Sequence, residues 1–311
     1  MRDTLLQYVF KLSVETPAAS PDTSYIRNIL FLAKPLAEDP PAEIKRCVSE
    51  AEIAALTNNQ EAAQILKGGK SYIYVLPSAT LDIAAILQAT DYKFFTIMAG
   101  SEYTEAEWLA KDFGGFEGVS CRVFTDQEKA KAFAAKTNQC GFFTTAETGA
   151  KNAAFAFGSF LSAPQWDNRQ FIDMPFSGGV NALGAADSLF DDRVSFVLSS
   201  QEYGNVLAFF TAGKQAIIAP YITEEIRTRQ QGRALGWIRQ NKPHYTLTDA
   251  KLLERYLQQQ LEEDYVDTGL IESAKVTVEL TADNFIATGN IAIAEPKALW
   301  RLQGTLTQEA N

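Results

Sequence analysis

From Ser71 to Phe160 short apolar runs and helix-length segments follow one another in turn, and this alternation constrains the fold more than any other feature. Tyr72–Leu76, Lys93–Met98, Val119–Phe124 and Gly141–Thr144 are close to continuously apolar. Between and after them Leu81–Gln88, Thr104–Phe113, Gln127–Lys136 and Gly149–Phe160 read as helices. A strand that shows no polar alternation is covered on both faces. The βαβα order therefore predicts an α/β fold: a mainly parallel sheet flanked by helices. Upstream, Tyr25–Ala33 is a further strand candidate, and Ser49–Leu56 and Gln60–Leu66 read as short helices. Ser49 and Glu52 carry the spacing of a capping box. Downstream, Gln170–Asp173, Arg193–Leu198 and Asn205–Phe210 read as strands around a helix near Gly184–Phe190.

Both chain ends break the pattern. Leu6, Tyr8, Phe10, Leu12 and Val14 are apolar at every second position, which is strand periodicity, and a breaker-rich run from Thr16 to Thr23 detaches them from the body. After Ala219 come a helix over Tyr221–Gln240 and another over Thr248–Asp267. A strand follows, with Ala274, Val276, Val278 and Leu280 on one face, then a return strand over Phe285–Ile293 with an expected kink near Gly289. Beyond Glu295 and Pro296, Ala298, Trp300 and Leu302 alternate again. Terminal strands of this kind need a sheet to join, in their own chain or in another copy. Their separation by a linker or a proline favours exchange between subunits. The expected division is an N-terminal arm (1–20), an α/β body (21–218), a helix-helix-strand-strand part (219–293) and a C-terminal arm (294–311).

Charge narrows the partners. A net charge of −10 over 311 residues argues against a nucleic-acid or anionic-membrane surface. The most apolar segment, Ala153–Ala163, is far shorter than the ~20 residues of a membrane span. The N-terminal MRDTLLQYVF lacks the apolar run of a signal peptide. Cys47, Cys121 and Cys140 are too scattered for a disulfide framework or a CxxC metal site, so they are expected as packed, reduced thiols in a soluble chain.

A search for catalytic chemistry along the chain is unrewarding. Gly69-Lys70-Ser71 resembles the end of a P-loop, but Gln64 stands where the first glycine belongs, and the triplet precedes a strand instead of following one. Neither GxGxxG nor GxSxG occurs. His244 is the sole histidine and has no metal-ligating or acid–base partner nearby in sequence, which favours a loop position in solvent. Asp191 and Asp192 fit a turn better than a cation site. Glu262, Glu263 and Asp264 run against the dipole of the helix they end and fit a solvated or partner-facing surface. Phe155, Phe157 and Phe160 have core spacing. No catalytic, cofactor-binding or metal site is expected.

The order of elements, with several phrases, resembles the contractile-tail sheath proteins. The phrases are Asn28-Ile-Leu-Phe-Leu-Ala33, Ala62–Leu76, Asn152-Ala-Ala-Phe-Ala-Phe-Gly158 and Pro164–Ile172. Leu183-Gly-Ala-Ala-Asp-Ser-Leu-Phe190, Thr211-Ala-Gly-Lys214 and Ala219-Pro-Tyr-Ile-Thr-Glu-Glu-Ile226 continue them. The resemblance implies a non-enzymatic subunit stacked in six-membered rings around a tail tube, in a short form without outer domains. It implies as partners further copies, a tail tube protein, and baseplate and tail terminator proteins, with no nucleic acid, membrane anchor or cofactor. It also implies assembly in a host cytoplasm, residence in a virion tail, and contraction that drives the tube through the host envelope. The arms would exchange strands between subunits through Leu6, Tyr8, Phe10, Leu12 and Val14, through Val276, Val278 and Leu280, and through Trp300 and Leu302. Arg227, Arg229, Arg233 and Arg239 would face the tube, unless they pair with acids on their own helix, as Glu225 with Arg229 at i,i+4. The competing expectations are another tail ring protein (terminator or baseplate-proximal) and an enzyme on a doubly wound sheet, which would need a reactive set of groups at the strand ends.

Overall fold

The computed structural model describes residues 10–12, 23–36, 43–79, 93–109, 116, 118–166, 171–202, 204–244, 246–280 and 287–294. The proposed helix Leu81–Gln88, the residues Leu6, Tyr8, Val14, Trp300 and Leu302, and the C-terminal arm beyond Ala294 lie outside them.

An eight-stranded sheet forms the body. Its strands are β2 (Ile29–Ala33), β3 (Lys45–Cys47), β4 (Ile73–Pro77), β5 (Thr96–Ala99), β6 (Val119–Phe124), β7 (Gln139–Phe143), β8 (Ser195–Ser200) and β9 (Gly204–Phe209). They lie in the order β3-β4-β2-β5-β6-β7-β8-β9. The six central strands are mutually parallel, and only β3 and β9, at the two edges, run antiparallel to their neighbours. The expected mainly parallel α/β sheet is therefore present.

Every residue of β2, β4, β5 and β6 is buried, which is why these strands show no polar alternation. Alternation survives as a choice between two cores. Phe31, Ala33, Val75, Met98 and Cys121 face one apolar layer, whereas Leu30, Leu32, Tyr74, Leu76 and Ile97 face the other. Helices α1 (Glu50–Ala54), α2 (Glu61–Lys67) and α5 (Gly149–Ser162) contribute to the first layer. Trp108 of α3 (Glu105–Leu109), Phe133 of α4 (Gln127–Ala134) and Leu189 of α6 (Leu183–Asp191) fill the second.

α2 and α5 pack backbone to backbone. A Cβ added at Gly158 would come within 2.2 Å of the Ile65 carbonyl oxygen, and one at Gly68 within 2.4 Å of that of Phe155. Only glycine permits this approach.

An antiparallel ribbon of β10 (Thr211–Ala212) and β11 (Gln215–Ala216) leads into the C-terminal part, which begins with α7 (Ile218–Asn241). Its first turns are built into the body: the fully buried Tyr221 ring lies 4.9 Å from Phe160, 5.1 Å from Phe95 and 5.4 Å from Trp166. Its hydroxyl is 2.6 Å from Thr96 Oγ1 on β5. α8 (Leu247–Leu261) follows, opened by a reciprocal capping box between Thr246 and Asp249 and closed by a single wide turn over Glu262–Val266. Leu253, Leu257 and Leu261 of α8 and Tyr265 belong to the same apolar cluster as the sheet face, so the line at 218/219 falls inside continuous packing. Last comes a small separate sheet, ordered β1-β13-β12, from β1 (Phe10–Leu12), β12 (Ser273–Leu280) and β13 (Ala287–Ala294).

Several boundaries differ from expectation for local reasons. Ser24–Arg27 forms a 3-10 turn before β2, closed by Asn28 N–H donating to the Tyr25 carbonyl at 3.0 Å. Of the strand expected at Gln170–Asp173, the described residues run along the edge of β9, with Phe171 N–H donating to the Leu207 carbonyl and Asp173 in an isolated bridge to Val206. No kink occurs at Gly289, which lies in unbroken register opposite Val278.

Candidate functional site

Three places gather the polar chemistry of the described residues.

The first is the switch point of the parallel sheet. Chain order carries β2 to β4 on one side and β5 on the other, and a ligand crevice is expected beyond the carboxyl ends of those strands. Here the crevice holds the chain's own carboxylates. Glu102, in the loop after β5, accepts from Lys34 N–H at 2.8 Å and from the Asn59 amide. Glu61, in the first turn of α2, accepts from Ser101 N–H at 3.1 Å and from the Ser101 hydroxyl. Glu61 is only 5% exposed, and burial, helped by the nearby Glu102 and opposed by the Ser101 hydrogen bonds and Arg122, pushes its pKa up to about 7. Arg122 is buried below and donates to the Tyr103 carbonyl at 2.7 Å. Among the described residues Lys34, Asn59 and Ser101 supply the hydrogen bonds to these two carboxylates, and Arg122 Nε is left without a partner.

The second place is the seam between α7 and the turn after α8. Arg227 reaches Glu224 at 2.6 Å, with 15% and 7% of their side chains exposed, and Glu224 also accepts from the Tyr25 hydroxyl. Burial, then the hydrogen bond to Glu224, pushes the Tyr25 phenol up to about 12. Arg229 pairs with Glu225 at 2.7 Å, at the i,i+4 spacing expected. Asp264 holds Arg233 and, at 3.7 Å, Arg229. Arg233 donates as well to the Gln260 carbonyl at 3.2 Å. Arg239 lies exposed in the last turn of α7. Three of the four arginines are thus tied to acids of their own chain. The acid run at 262–264 that opposed its helix dipole is explained by one member, Asp264, turned toward α7. Beside this seam an open cleft of about 600 Å³ is lined by Arg27, Trp166, Glu225, Arg229 and Asp264. The Arg27 guanidinium stacks 3.9 Å from the Trp166 ring centre, and the Trp166 indole donates to Glu225.

The third place is the small sheet. β1 runs parallel to β13, with Phe10 opposite Ala287 and Leu12 opposite Gly289. β12 pairs antiparallel with β13 over its whole length. Val276 and Val278 are buried against α8, at 4% and 2% exposure. The outer edge of β12 is occupied by side chains of α8: Gln258 Oε1 accepts from Val276 N–H at 2.7 Å and Glu254 from Val278 N–H at 2.9 Å. Leu280 ends the strand.

The remaining candidates have structural surroundings. Gly69-Lys70-Ser71 is the turn from α2 into β4, with Gly69 at φ 118° and Lys70 Nζ donating to the Arg27 carbonyl at 2.9 Å. His244 is exposed between α7 and α8. Asp192 pairs with Lys131 at 2.9 Å. Cys47, Cys121 and Cys140 are buried free thiols, the last two opposite each other on β6 and β7. Phe157 and Phe160 are core residues. Among the described residues no cluster of three His, Cys, Asp or Glu side chains could hold a metal, and no helix is long and apolar enough to cross a membrane. Sequence reasoning missed Glu61 and Glu102, because a glutamate in a helix's first turn or in a loop reads as solvated.

No family model matches the chain, and no curated protein sequence matches it. Its fold, however, recurs from end to end in solved assemblies. A chain of the six-fold symmetrised anti-feeding prophage baseplate superposes with a TM-score of 0.70 at 11% identity, over 96% of this chain and 97% of that one. A chain of the anti-feeding prophage helical sheath in its contracted state gives 0.70 at 12% identity, over 95% and 98%. A chain of the baseplate in the contracted state gives 0.61 at 12% identity, over 96% of each. At these identities the likeness is one of fold.

Proposed function

We propose that this chain is a structural, non-enzymatic subunit of a contractile injection apparatus, and specifically its sheath. One observation supports the reading: 95% of this chain shares its fold with 98% of a chain of a contractile helical sheath. A doubly wound enzyme would be expected to share only its sheet.

In this reading copies of the chain stack as six-membered rings around a tail tube, joined to baseplate and terminator proteins, in a phage or phage-like particle assembled in a host cytoplasm. The strand β1, paired here with its own β13, is the segment exchanged between neighbours, with Leu6, Tyr8, Phe10, Leu12 and Val14 supplying alternate side chains. Val276, Val278 and Leu280 belong to the receiving sheet, and Trp300 and Leu302 to a second arm. α7 is the helix turned toward the tube. Arg239 and the 43%-exposed Arg229 are its contacts, while Arg227 and Arg233 hold the helix in place through Glu224 and Asp264.

A ring subunit near the baseplate is the second reading, supported by the equal TM-score of the baseplate chain. Negative-stain microscopy of the purified protein separates them. Long striated tubes support the sheath, and discrete rings the baseplate subunit. Monomers or dimers at every concentration and salt would remove both.

A further inference from the structure

An edge strand offers a row of unpaired N–H and C=O groups, and a chain that assembles by strand addition needs one such edge open and the others shut. The small sheet has two edges, and they are treated differently.

In an antiparallel pair alternate residues turn their backbone groups away from the partner strand. On β12 the outward set includes Ala274, Val276 and Val278, because their polar groups are met by side chains and not by β13. Val276 N–H donates to Gln258 Oε1 at 2.7 Å, the Ala274 carbonyl accepts from Gln258 Nε2 at 3.0 Å, and Val278 N–H donates to Glu254 at 2.9 Å. Gln258 thus uses both ends of its amide as a backbone would, one donor and one acceptor. Glu254 is fixed in turn by Lys251 at 3.0 Å. The Val278 N–H, and secondarily Lys251, holds its carboxyl below the usual carboxylate range, so it stays an ionised acceptor at neutral pH. The two residues are four apart on α8, the spacing that places them on one face of the helix, while Val276 and Val278 lie two apart on the strand. On the other side, β13 runs from Ala287 to Ala294, and among the described residues β1 pairs with it from Ala287 to Gly289.

We propose that Glu254 and Gln258 are a built-in stop on the outer edge of β12, so that this sheet takes a strand from a second copy of the chain only on its β13 side. The inference rests on the strand-exchange part of the function proposed above and adds to it a direction. A shut β12 edge confines strand addition to the β13 side of the sheet, so that copies cannot also fuse edge to edge across β12.

The test uses the full chain and a fluorescent peptide of residues 4–14 as the added strand. Wild type is compared with Glu254→Ala/Gln258→Ala and with Glu254→Gln, whose amide oxygen still accepts from Val278. The double variant is expected to exchange the Val276 and Val278 amide protons at least ~10-fold faster and to bind one more peptide per chain than wild type. Glu254→Gln should behave as wild type in both measurements. If the double variant unfolds, Gln258→Ala alone frees Val276 and gives the same comparison at that amide. Unchanged exchange would overturn the inference by showing that the side chains do not hold the edge. Faster exchange without an added peptide would overturn it by showing that the opened edge accepts nothing. Both measurements are made on unassembled subunits, so an absence of tubes in wild type would defeat the sheath reading and leave this result to stand or fall separately.

Discussion

Reversing the charge of Arg227 distinguishes a helix that displays its arginines from one that uses them internally. If Arg227 only faced a partner, Arg227→Glu would block assembly and leave the subunit as stable as before. The structure gives a different outcome. Arg227 keeps 15% of its side-chain surface and Glu224 7%, so the substitution sets a second carboxylate beside one that is already shielded from water. Removing one partner of a buried pair costs about 3–5 kcal/mol, and the residual exposure of Arg227 points to the lower end, about 3 kcal/mol. With an unfolding entropy of about 2.1 cal/mol/K per residue, the 311 residues give roughly 0.65 kcal/mol/K, so the melting temperature should fall by about 5 °C. Arg239→Glu, at an exposed site in the last turn of α7, loses only a favourable helix-dipole contact of about 0.3–1 kcal/mol, or less than ~2 °C. The assay is thermal unfolding of dilute subunits by circular dichroism, followed by assembly with and without tube protein. If Arg227→Glu melts within about 1 °C of wild type, the ion pair with Glu224 does not support the fold and the reasoning fails. A variant that melts normally and still fails to assemble is expected at Arg239 instead.

Two other perturbations read the body. Glu61 has a folded-state pKa near 7, above that of an unfolded glutamate, so the folded chain binds the extra proton between about pH 4.5 and 7. Its contribution to stability is therefore greatest below that window and is lost as pH rises through it. Glu61→Gln should melt higher than wild type at pH 8, by an amount on the order of 1–2 kcal/mol after the loss of one Ser101 hydrogen bond. The difference should vanish near pH 5, and equal melting at both pH values would refute it. Gly158→Ala gains helix propensity of about 1 kcal/mol but drives a methyl into the Ile65 carbonyl. Overpacking of 1–3 kcal/mol outweighs the gain, so chemical denaturation should show a net loss, and a stabilised variant would mean that α2 and α5 part easily.

The sheet was legible from sequence because burial on both faces leaves a mark that needs no partner: five or six apolar residues and then a breaker. Helix starts were legible where a cap announces them, as at Ser49, where Glu52 N–H donates to the serine hydroxyl and the Glu52 carboxylate accepts from Val48 N–H. What could not be read were groups whose role is fixed by residues distant in the chain. Asp264 looks misplaced on its own helix and is explained only by Arg229 and Arg233 across the seam. Gln258 and Glu254 look like surface residues of an amphipathic helix until β12 is laid against them. Glu61 carries no sequence sign of burial, since the loop that receives it, Gly100–Thr104, is brought there by the sheet order. The arginine spacing on α7 suggested a contact surface, whereas the acids that occupy most of it come partly from the same helix and partly from the turn after α8.

The apolar cluster that begins on one face of the large sheet runs without interruption through Tyr221 and α8 to Val276 and Val278 under the small sheet. A subunit built this way behaves as a stiff lever. In the sheath reading a push delivered at the small sheet would reach the far edge as rotation of the whole body, since described core residues connect the two. If copies of the chain are joined as proposed above, a large change in their spacing would fall to the tethers between them and not to refolding of the parts they connect.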